Sequence, residues 1–353
     1  MAAEESDAKR RRTAIGLTSA EQTLFSTLKG VLTESKLNTV LRVAGGWVRD
    51  KLLGRENLDI DIAIDNMLGR EFAEHVNKYL TSHGEHTRNV GVIQSNPAQS
   101  KHLETARVKL FGTWIDFTNL RSEEYTKDSR IPVMTFGTPE DDAFRRDLTI
   151  NSLFYNINED KVEDFTKQGI KDIEAGIIRT PLAPRKTFLD DPLRVLRTIR
   201  FASRFGFELD TELLEAASDP DVVAALNQKI SRERIGVEVE GMLKGPRPVM
   251  ALSLLVHLKL FDAVFRLPEN ILNAPSATIK NVPQQCLREL QRCGRFLQWR
   301  YKATSANTIS SEDRHLLLLS SFLSPVGTWT YVDIKRKQFP LAKYIIRESL
   351  KYS

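Results

Sequence analysis

One short segment, residues 58–64 with the sequence LDIDIAI, constrains the fold of this chain more than any other. Its isoleucines occupy every second position, which is the period of a β-strand. Asp59 and Asp61 fall on the alternate positions, so both carboxylates are expected on one face, opposite a branched aliphatic face that suits a core. Mg²⁺ prefers a few carboxylate oxygens together with water and phosphate oxygens. The segment therefore predicts a strand that holds a metal ion.

A phosphate-binding turn is predicted immediately before this strand. Residues 40–44 resemble another short strand, and Gly45 and Gly46 separate it from a helical segment that carries Arg49. Glycines let the backbone approach a ligand, and N–H groups at a helix start together with a guanidinium suit a triphosphate. Each motif alone has a simpler interpretation, a tight turn for the glycines and a solvated strand face for the aspartates. Their tandem arrangement favours the functional one.

The segments that follow are predicted to add further residues to this site. A strand over residues 113–120 carries Asp116, which is either a third catalytic carboxylate or an acid at a sheet edge. Residues 121–140 lack periodicity and contain two prolines and a glycine, which predicts a mobile loop beside the site. The following run, 141–151, is predicted to be helical.

Two types of polar side chain on that run suggest nucleotide contacts. The two arginines, Arg145 and Arg146, suit phosphates, whereas a carboxylate at Asp147 and an amide at Asn151 suit ribose hydroxyls. Asp147 and Asn151 share a helix face at i, i+4 spacing. The alternative is an ordinary surface helix laced by ion pairs.

A helix that could read a base is predicted over residues 190–204. Asp191 precedes a proline, which is the usual order of an N-cap and a first helical residue, so Asp191 could simply cap the helix. Arg194 lies on the same face, however, and Arg197 continues it. A carboxylate that accepts beside a guanidinium that donates matches the edges of cytosine and adenine, while uracil and guanine reverse that order. The pair would select C and A without a nucleic-acid template.

Composition limits the class of protein. The chain has 353 residues, 41% of them hydrophobic and 27% charged, which predicts two or three globular domains. No apolar run approaches the ~20 residues that span a bilayer, and Cys286 and Cys293 are not placed to pair, so we expect an intracellular protein without membrane segments. The basic run at 9–12 suggests the cytoplasm or nucleus, with the mitochondrion as an alternative. The net charge of +5 arises in the second half, which suits a polyanion.

Five segments in order resemble the class II tRNA nucleotidyltransferases, or CCA-adding enzymes, of the polymerase-β superfamily, and most closely the fungal members. They span about residues 40–245 and read GGWVRDKLLG with LDIDIAI, RRDLTIN, DFTKQGIKD, DDPLRVLRTIRFASRFGF and SRERIGVEVEGML. Asp190 departs mildly from the pattern, because many relatives have Glu there. The resemblance implies an α+β fold, in which a polymerase-β-like mixed sheet with flanking helices is followed by all-helical neck and body segments.

Polar composition at the N-terminus and the prolines at 181 and 184 predict domain boundaries, and the resemblance implies what each domain does. A disordered basic N-terminus at 1–17 would precede a head domain at 18–182. A neck with the nucleotide-selecting helix would occupy 183–260, and a body with a shortened tail that binds tRNA would occupy 261–353. Because the chain stops at Ser353 while eukaryotic relatives generally run longer, part of the tail is expected to be missing.

In this family the two aspartates at 59 and 61 would bind catalytic Mg²⁺, and the partners would be CTP, ATP and the acceptor end of tRNA. The loop at 121–140 would take part in switching from C to A. The expected nucleotide contacts are Gly45, Gly46, Arg49, Arg145, Asp147, Asn151, Asp191, Arg194 and Arg197.

The expected reaction is template-independent addition of CCA to the 3′ end of tRNA. The sequence leaves three alternatives open. The first is a partial enzyme that adds only CC or only the last A, the second is a poly(A) polymerase of the same superfamily, and the third is an inactive RNA-binding module.

Overall fold

The structure is a computed structural model that divides into two compact units, Met1–Leu182 and Ala183–Ser353. The basic run at 9–12 and most of the predicted disordered N-terminus lie outside the residues that it describes, which are 15–93, 105–126, 129–275, 281–303 and 309–352.

The first unit combines one large sheet with short flanking helices. Its strands are β1 (Leu41–Ala44), β2 (Ile60–Ile64), β3 (Val90–Ile93), β4 (Thr105–Leu110), β5 (Thr113–Asn119), β6 (Arg121–Thr126), β7 (Ser129–Phe136), β8 (Phe154–Asn156), β9 (Lys161–Glu163) and β10 (Ile177–Ile178). Its helices are α1 (Ser19–Glu34), α2 (Gly46–Leu52), α3 (Gly69–Ser82), α4 (Pro139–Phe144) and α5 (Gly169–Ala175), with a 3₁₀ turn at Thr149–Asn151.

The described residues form a seven-stranded mixed sheet in the order β3-β4-β5-β2-β1-β8-β9. Strands β2 and β5 run parallel, with Asp61 in register with Asp116, and the other neighbouring strands run antiparallel. The three isoleucines of β2 are buried, as the alternation predicts. A parallel pair at the centre of the sheet therefore sets two of the predicted carboxylates side by side.

One glutamate fixes the helices that flank the start of the sheet. Thr18 and Glu21 form a capping box at the start of α1, with the Thr18 amide donating to the Glu21 carboxylate at 2.8 Å. The same carboxylate accepts from Trp47 Nε1 at 3.0 Å and from Lys51 Nζ at 2.7 Å. These bonds tie α1 to α2, the helix that follows the two glycines.

The prediction of a mobile loop at 121–140 is wrong. Strands β6 and β7 pair antiparallel there as a hairpin, with Arg121 opposite Phe136. Both strands of a two-stranded ribbon are edge strands, which tolerate proline, so Pro132 does not break β7. A Cβ atom on Gly137 would lie 2.6 Å from the backbone of Arg121, so the glycine allows a close chain approach rather than flexibility.

The second unit is mostly helical. Its helices are α6 (Pro184–Asp190), α7 (Leu193–Phe205), α8 (Thr211–Ala217), α9 (Pro220–Lys229), α10 (Arg232–Lys244), α11 (Pro248–His257), α12 (Phe261–Val264), α13 (Val282–Ala303), α14 (Ser311–Leu323) and α15 (Leu341–Tyr344). A 3₁₀ turn at Ser324–Val326, a π turn at Ile345–Ser349 and a two-residue strand, β11 (Glu208–Leu209), complete its main elements. In the described parts of the chain, no helix has both the length and the apolar character needed to cross a bilayer.

This unit also contains a small antiparallel sheet that the sequence does not predict. It consists of β12 (Ile271–Leu272), β13 (Thr330–Val332) and β14 (Gln338–Pro340) in that order. Strands this short show too few alternations for a period of two to stand out. The mixed sheet followed by helices nevertheless confirms the predicted α+β class.

Gly69 tests the packing of α3 on the sheet. A Cβ atom there would lie 2.4 Å from the carbonyl oxygen of Phe117 on β5. We expect Gly69→Ala to lower the free energy of unfolding by about 1–3 kcal/mol, because the backbones must separate. Gly16→Ala is the matched control, since no atom lies within 4 Å of the position that its methyl group would take. Equal denaturant midpoints for the two variants would contradict this account.

Candidate active site

Asp59, Asp61 and Asp116 meet at the edge of the central strand pair. Asp61 lies in β2, whereas Asp59 directly precedes that strand and is exposed. Burial, followed by the negative charges of Asp59 and Asp116, raises the pKa of Asp61 to about 6, although Arg146 and Arg107 oppose this shift. The carboxylates therefore carry more negative charge than their surroundings balance.

Arg107 largely neutralises Asp116. The two residues are cross-strand partners on β4 and β5, and Arg107 Nε and Nη2 donate to the Asp116 carboxylate at 2.6 and 2.7 Å. Asp59 and Asp61 form no ion pair with another described residue. Across the described ranges, no group of three or more His, Cys, Asp or Glu side chains is arranged to hold a metal ion. Of the three predicted carboxylates, Asp116 is thus engaged by Arg107, whereas Asp59 and Asp61 have no cationic partner among the described residues.

The turn between β1 and α2 requires its first glycine. Gly45 has φ +67°, and its N–H donates to the carbonyl oxygen of Leu153 at 2.8 Å. A Cβ atom at Gly45 would lie 2.7 Å from Arg146 Nη1 and 3.1 Å from the Asn151 carbonyl oxygen. Gly46 is less crowded, since the nearest atom to its Cβ position is Nη2 of Arg49 at 3.6 Å. The turn therefore brings two guanidinium groups against its backbone.

Three predicted nucleotide contacts form one hydrogen-bonded chain. Arg49 Nη1 donates to Oδ1 of Asn151, and Asn151 Nδ2 donates to Oδ1 of Asp147 at 3.0 Å. Arg49 Nε also donates to Asp50 at 2.9 Å. All four side chains are buried, so each holds the next in a fixed orientation. The structure brings Arg49, Asp147 and Asn151 together although their segments are far apart in sequence.

The helix predicted across 141–151 is interrupted. Helix α4 ends at Phe144, and the 3₁₀ turn begins only at Thr149. Helix α4 begins at Pro139, two residues before the predicted start, because Thr138 caps it and acidic residues fill its first turn. It ends at Phe144, before Asp147. The i, i+4 argument for this run is therefore wrong, and the contact joins Asn151 in the 3₁₀ turn to Asp147, which precedes that turn.

Arg145 and Arg146 have different surroundings. Arg145 donates to Glu123 at 2.8 Å and to Asp142 at 2.7 Å, so two carboxylates share its charge. Arg146 donates to Asp142 at 2.7 Å but also lies against Gly45 and lowers the pKa of Asp61. The sequence suggests both arginines for phosphates and names only Arg145 among the expected nucleotide contacts, whereas the structure places Arg146 against the Gly45 turn. The two arginines point to different partners because α4 ends just before them, at Phe144. The sequence pattern does not reveal where that helix ends.

In the second unit, Asp191 and Arg194 lie together at the start of α7. Pro192 takes the N-cap position, while Asp191 Oδ1 accepts from the Leu193 amide at 3.3 Å. Arg194 is buried, and its amide donates to the Asp191 carbonyl oxygen at 3.0 Å. Arg234 on α10 donates from Nη2 to Asp191 Oδ2 at 3.1 Å. The carboxylate is therefore oriented from two sides.

A second contact joins α7 to α10. Glu238 lies 2.6 Å from Arg200 Nε and 3.8 Å from Arg197 Nη1. Arg197 also lies over the Phe201 ring at 5.5 Å. The sequence does not reveal the part played by Arg234 and Glu238, although their i, i+4 spacing in the SRERIGVEVEGML segment places them on one helix face.

Comparison with known families agrees with this fold and site. The first unit matches the poly(A) polymerase head domain over residues 41–179. Residues 206–271 match a segment described as a probable RNA and SrmB binding site of polymerase A. The fold is therefore that of a poly(A) polymerase-type head followed by a helical unit.

Individual relatives make the comparison more specific. The chain is 45% identical over 339 residues to the mitochondrial CCA tRNA nucleotidyltransferase of Candida glabrata, covering 89% of this chain and 63% of the relative. It is 56% identical over 229 residues to that of Saccharomyces cerevisiae, covering 64% and 42%. Over most of its length the chain is therefore similar to the CCA-adding tRNA nucleotidyltransferases. It spans less than two thirds of the length of these relatives.

Solved structures share the fold. A CCA-adding enzyme in an apo form has a TM-score of 0.66 and 25% identity, with 96% of this chain and 69% of that chain covered. A tRNA nucleotidyltransferase complexed with a primer tRNA and an incoming ATP analogue has a TM-score of 0.65 and 21% identity, with 92% and 80% covered. The similarity therefore extends across both units.

The pKa of Asp61 predicts how stability depends on pH. Since the folded pKa is about 6 and the ordinary value is 3.8, the folded state retains a proton that the unfolded state releases between these values. The free energy of unfolding should therefore fall as the pH rises through this window. In the presence of a chelator, Asp61→Asn should be more stable than the parent at neutral pH by up to about 3 kcal/mol, and about equal to it near pH 4. Denaturant unfolding across pH measures this, and a pH-independent difference would contradict it.

Proposed function

We propose that this chain adds C, C and A to the 3′ end of tRNA, using CTP and ATP and no nucleic-acid template. The observation that carries the proposal is the open carboxylate pair of Asp59 and Asp61 beside the Gly45 turn. Its relatives in two yeasts are CCA tRNA nucleotidyltransferases, and a similar structure holds a primer tRNA with an ATP analogue. These support the same substrates here.

The site fits a divalent cation, which we propose is Mg²⁺. Burial, and after it the negative charges of Asp59 and Asp116, raises the pKa of Asp61, and a cation bound by Asp59 and Asp61 would relieve the repulsion between these carboxylates. A bound divalent ion supplies charge neutralisation at the reacting phosphate and the departing pyrophosphate. Asp116 remains a candidate third carboxylate, although Arg107 must first release it.

The chain's own residues would position the nucleotide. The Gly45 turn brings Arg146 to its backbone, which suits the triphosphate, while Asp147 and Asn151 offer an acceptor and an amide to ribose hydroxyls. The 3′-oxygen of tRNA forms a bond to the α-phosphorus as the bond from that phosphorus to pyrophosphate breaks. Orientation and electrostatics carry the rate, and no covalent enzyme intermediate is needed.

Base choice would belong to Asp191 and Arg194. An accepting carboxylate beside a donating guanidinium complements the edges of cytosine and adenine. Arg234 engages one oxygen of Asp191 and the Leu193 amide contacts the other, which restrains the rotation of this carboxylate. A fixed acceptor is what discrimination by hydrogen bonding requires.

Removal of either metal-binding carboxylate tests the catalytic assignment. Asp59→Ala and Asp61→Ala should each lower incorporation of labelled CMP into a tRNA that lacks its CCA end by about 10²-fold or more, since several kcal/mol of charge stabilisation are lost. Asp65→Asn is the control, because Asp65 follows β2 at its far end and accepts from the Val40 amide. Parent-like incorporation by Asp59→Ala or Asp61→Ala would refute the proposal.

The same substrate separates the alternative activities. With CTP alone, ATP alone or both, a full enzyme extends the trimmed tRNA by three nucleotides, a partial enzyme stops after CC or adds only A, and a poly(A) polymerase gives long products from ATP alone. An inactive RNA-binding module gives no product.

Substitutions in the base-reading pair test selectivity. Asp191→Ala and Arg194→Ala should each raise incorporation of UTP or GTP relative to CTP and ATP by roughly 10-fold or more, because a mismatched buried pair no longer excludes the wrong base. Binding of Mn²⁺ as a probe of the metal site should be unchanged. Parent-like nucleotide preference in both variants would show that base choice lies elsewhere.

The cellular location is also a proposal. The two relatives above are mitochondrial enzymes by name, which supports the mitochondrion for this chain, while the basic N-terminal run suggests the cytoplasm or nucleus. Imaging of the full-length protein with a C-terminal fluorescent tag distinguishes these compartments.

A further inference from the structure

Two cross-strand pairs stand side by side on one face of the large sheet in the first unit. Arg107 on β4 lies opposite Asp116 on β5, and Lys109 lies opposite Trp114. The residues of each strand are two positions apart, so all four side chains belong to the same face. Asp116 is one of the three predicted carboxylates, whereas Lys109 and Trp114 have no part in the proposed function.

This face of β4 and β5 is open, whereas the other face is covered. Helix α3 packs on the covered face, where Phe117 is fully buried. On the open face Trp114 is 53% exposed, and Lys109 is exposed as well. The next strand outward, β3, places Gly91 opposite Arg107 and so adds no side chain at that position. The indole ring is therefore accessible to a ligand that approaches the sheet from this side.

Lys109 gives the exposed ring a neighbouring positive charge. Its Nζ lies 5.8 Å from the centre of the Trp114 ring, and it forms no ion pair with any described residue. Arg107, by contrast, is paired with Asp116 at 2.6 Å. An aromatic ring beside a cation that no carboxylate balances suits a single-stranded nucleic acid, because the ring stacks on a base while the ammonium group meets a phosphate.

Trp114 lies beside a carboxylate that is proposed to bind the metal ion. Strands β2 and β5 run parallel, with Ile60 opposite Ile115. Asp59 and Trp114 directly precede these two residues, so they lie level with each other on adjacent strands. Neighbouring strands are about 4.8 Å apart. The indole therefore starts one strand spacing away from the proposed site of chemistry.

The order of the strands places Trp114 and the nucleotide on opposite sides of the carboxylates. In the sheet, β5 and β1 flank β2 on its two sides. The Gly45 turn, with Arg146 against it, follows β1 and is proposed to hold the triphosphate. In nucleotidyl transfer the attacking oxygen and the leaving pyrophosphate lie roughly in line on opposite sides of the phosphorus. The RNA strand that supplies the attacking oxygen is therefore expected on the β5 side, where Trp114 lies.

We propose that Trp114 and Lys109 form a subsite for the end of the RNA strand that is extended, in which the indole stacks on the last base and the lysine pairs with a phosphate of that end. This inference rests on the proposed function, which supplies the RNA strand. Under that function the strand ends in a different sequence before each of the three additions, so its subsite cannot require one particular base. Stacking meets this condition, because every base has an aromatic face.

Fluorescence detects the stacking without catalysis. The probe is a CCA-lacking tRNA whose last nucleotide carries the fluorescent base 2-aminopurine, mixed with the full chain in the absence of CTP and ATP. Binding to the parent protein should quench its emission, because the indole stacks on the probe base. Trp114→Leu keeps an apolar side chain without an aromatic face, so the bound probe should stay bright. Trp114→Tyr keeps an aromatic face and should restore most of the quenching.

Steady-state kinetics separate this subsite from the nucleotide site. Trp114→Leu should raise the KM for CCA-lacking tRNA about 10-fold, because one base–aromatic stack is lost. The kcat and the KM for CTP should stay near the parent values, since the stack is present in the ground state and the transition state alike. A partly unfolded preparation would lower kcat rather than raise this KM, so the expected pattern is not a folding effect.

Salt dependence tests the part assigned to Lys109. Lys109→Gln should make the plot of log affinity for the tRNA against log salt less steep by about 0.7, the contribution of one phosphate of a single strand. Lys78→Gln is the matched control, because Lys78 is exposed on α3, the helix that packs on the opposite face of the sheet. This control should keep the parent slope and the parent quenching. Equal slopes for the two lysine variants would contradict the phosphate contact.

Three outcomes separate this inference from its alternatives and from the proposed function. If the parent adds CMP while Trp114→Leu quenches the probe and extends tRNA like the parent, the subsite is refuted and the proposed function stands. If Trp114→Leu raises the KM for CTP alone, the indole serves the nucleotide and the inference is overturned. If the parent quenches the probe through Trp114 yet adds no CMP, the proposed function fails while the RNA subsite stands.

Discussion

The site depends on one buried carboxylate, that of Asp142, which joins segments from different parts of the first unit. It accepts from Arg145 at 2.7 Å, from Arg146 at 2.7 Å and from the amide of Arg121 at 3.2 Å. Burial alone would raise the pKa of Asp142, but the guanidinium groups of Arg146 and Arg145 bring it down to about 2. The Asp142 carboxylate thereby connects three parts of the first unit: helix α4, the β6–β7 hairpin and, through Arg146, the glycine turn. A buried carboxylate of this kind is costly unless every partner is present, so the arginines and the acid must be considered together.

This cluster explains why two neighbouring arginines have different surroundings. Arg145 is held by Asp142 and Glu123, so its charge is neutralised within the protein. Arg146 shares Asp142 but reaches the carbonyl oxygen of Asn151 at 3.3 Å and so lies against the turn. Asp142 is shared by two arginines, whereas Glu123 pairs with Arg145. The charge of Arg146 is therefore less fully balanced than that of Arg145, which suits the nucleotide site proposed at the turn.

The central part of the fold is predictable because its signals are local. Alternation in β2 and the capping box at Thr18 each depend on a few adjacent residues. The carboxylates and glycines of the site lie in such segments, and the family motifs imply their roles, which stay predictions.

What the sequence does not show depends on contacts between distant residues. Whether Asp116 is open depends on Arg107 across a strand pair, and the position of β6 depends on the Asp142 cluster. Considered alone, the prolines and glycine of 121–140 predict a loop. A two-stranded ribbon accepts these residues because both of its strands are edge strands, and whether the two strands pair cannot be inferred from either strand by itself.

The hydrogen bond from Arg234 to Asp191 has a consequence for the evolution of such a protein. The carboxylate proposed to read the base is oriented by a residue on another helix, and that helix also carries Glu238, which contacts Arg197 and Arg200. Under the proposed role of this carboxylate, a substitution in α10 would alter nucleotide preference while leaving Asp191 and Arg194 intact. Two members of the family with the same base-reading pair need not have the same fidelity.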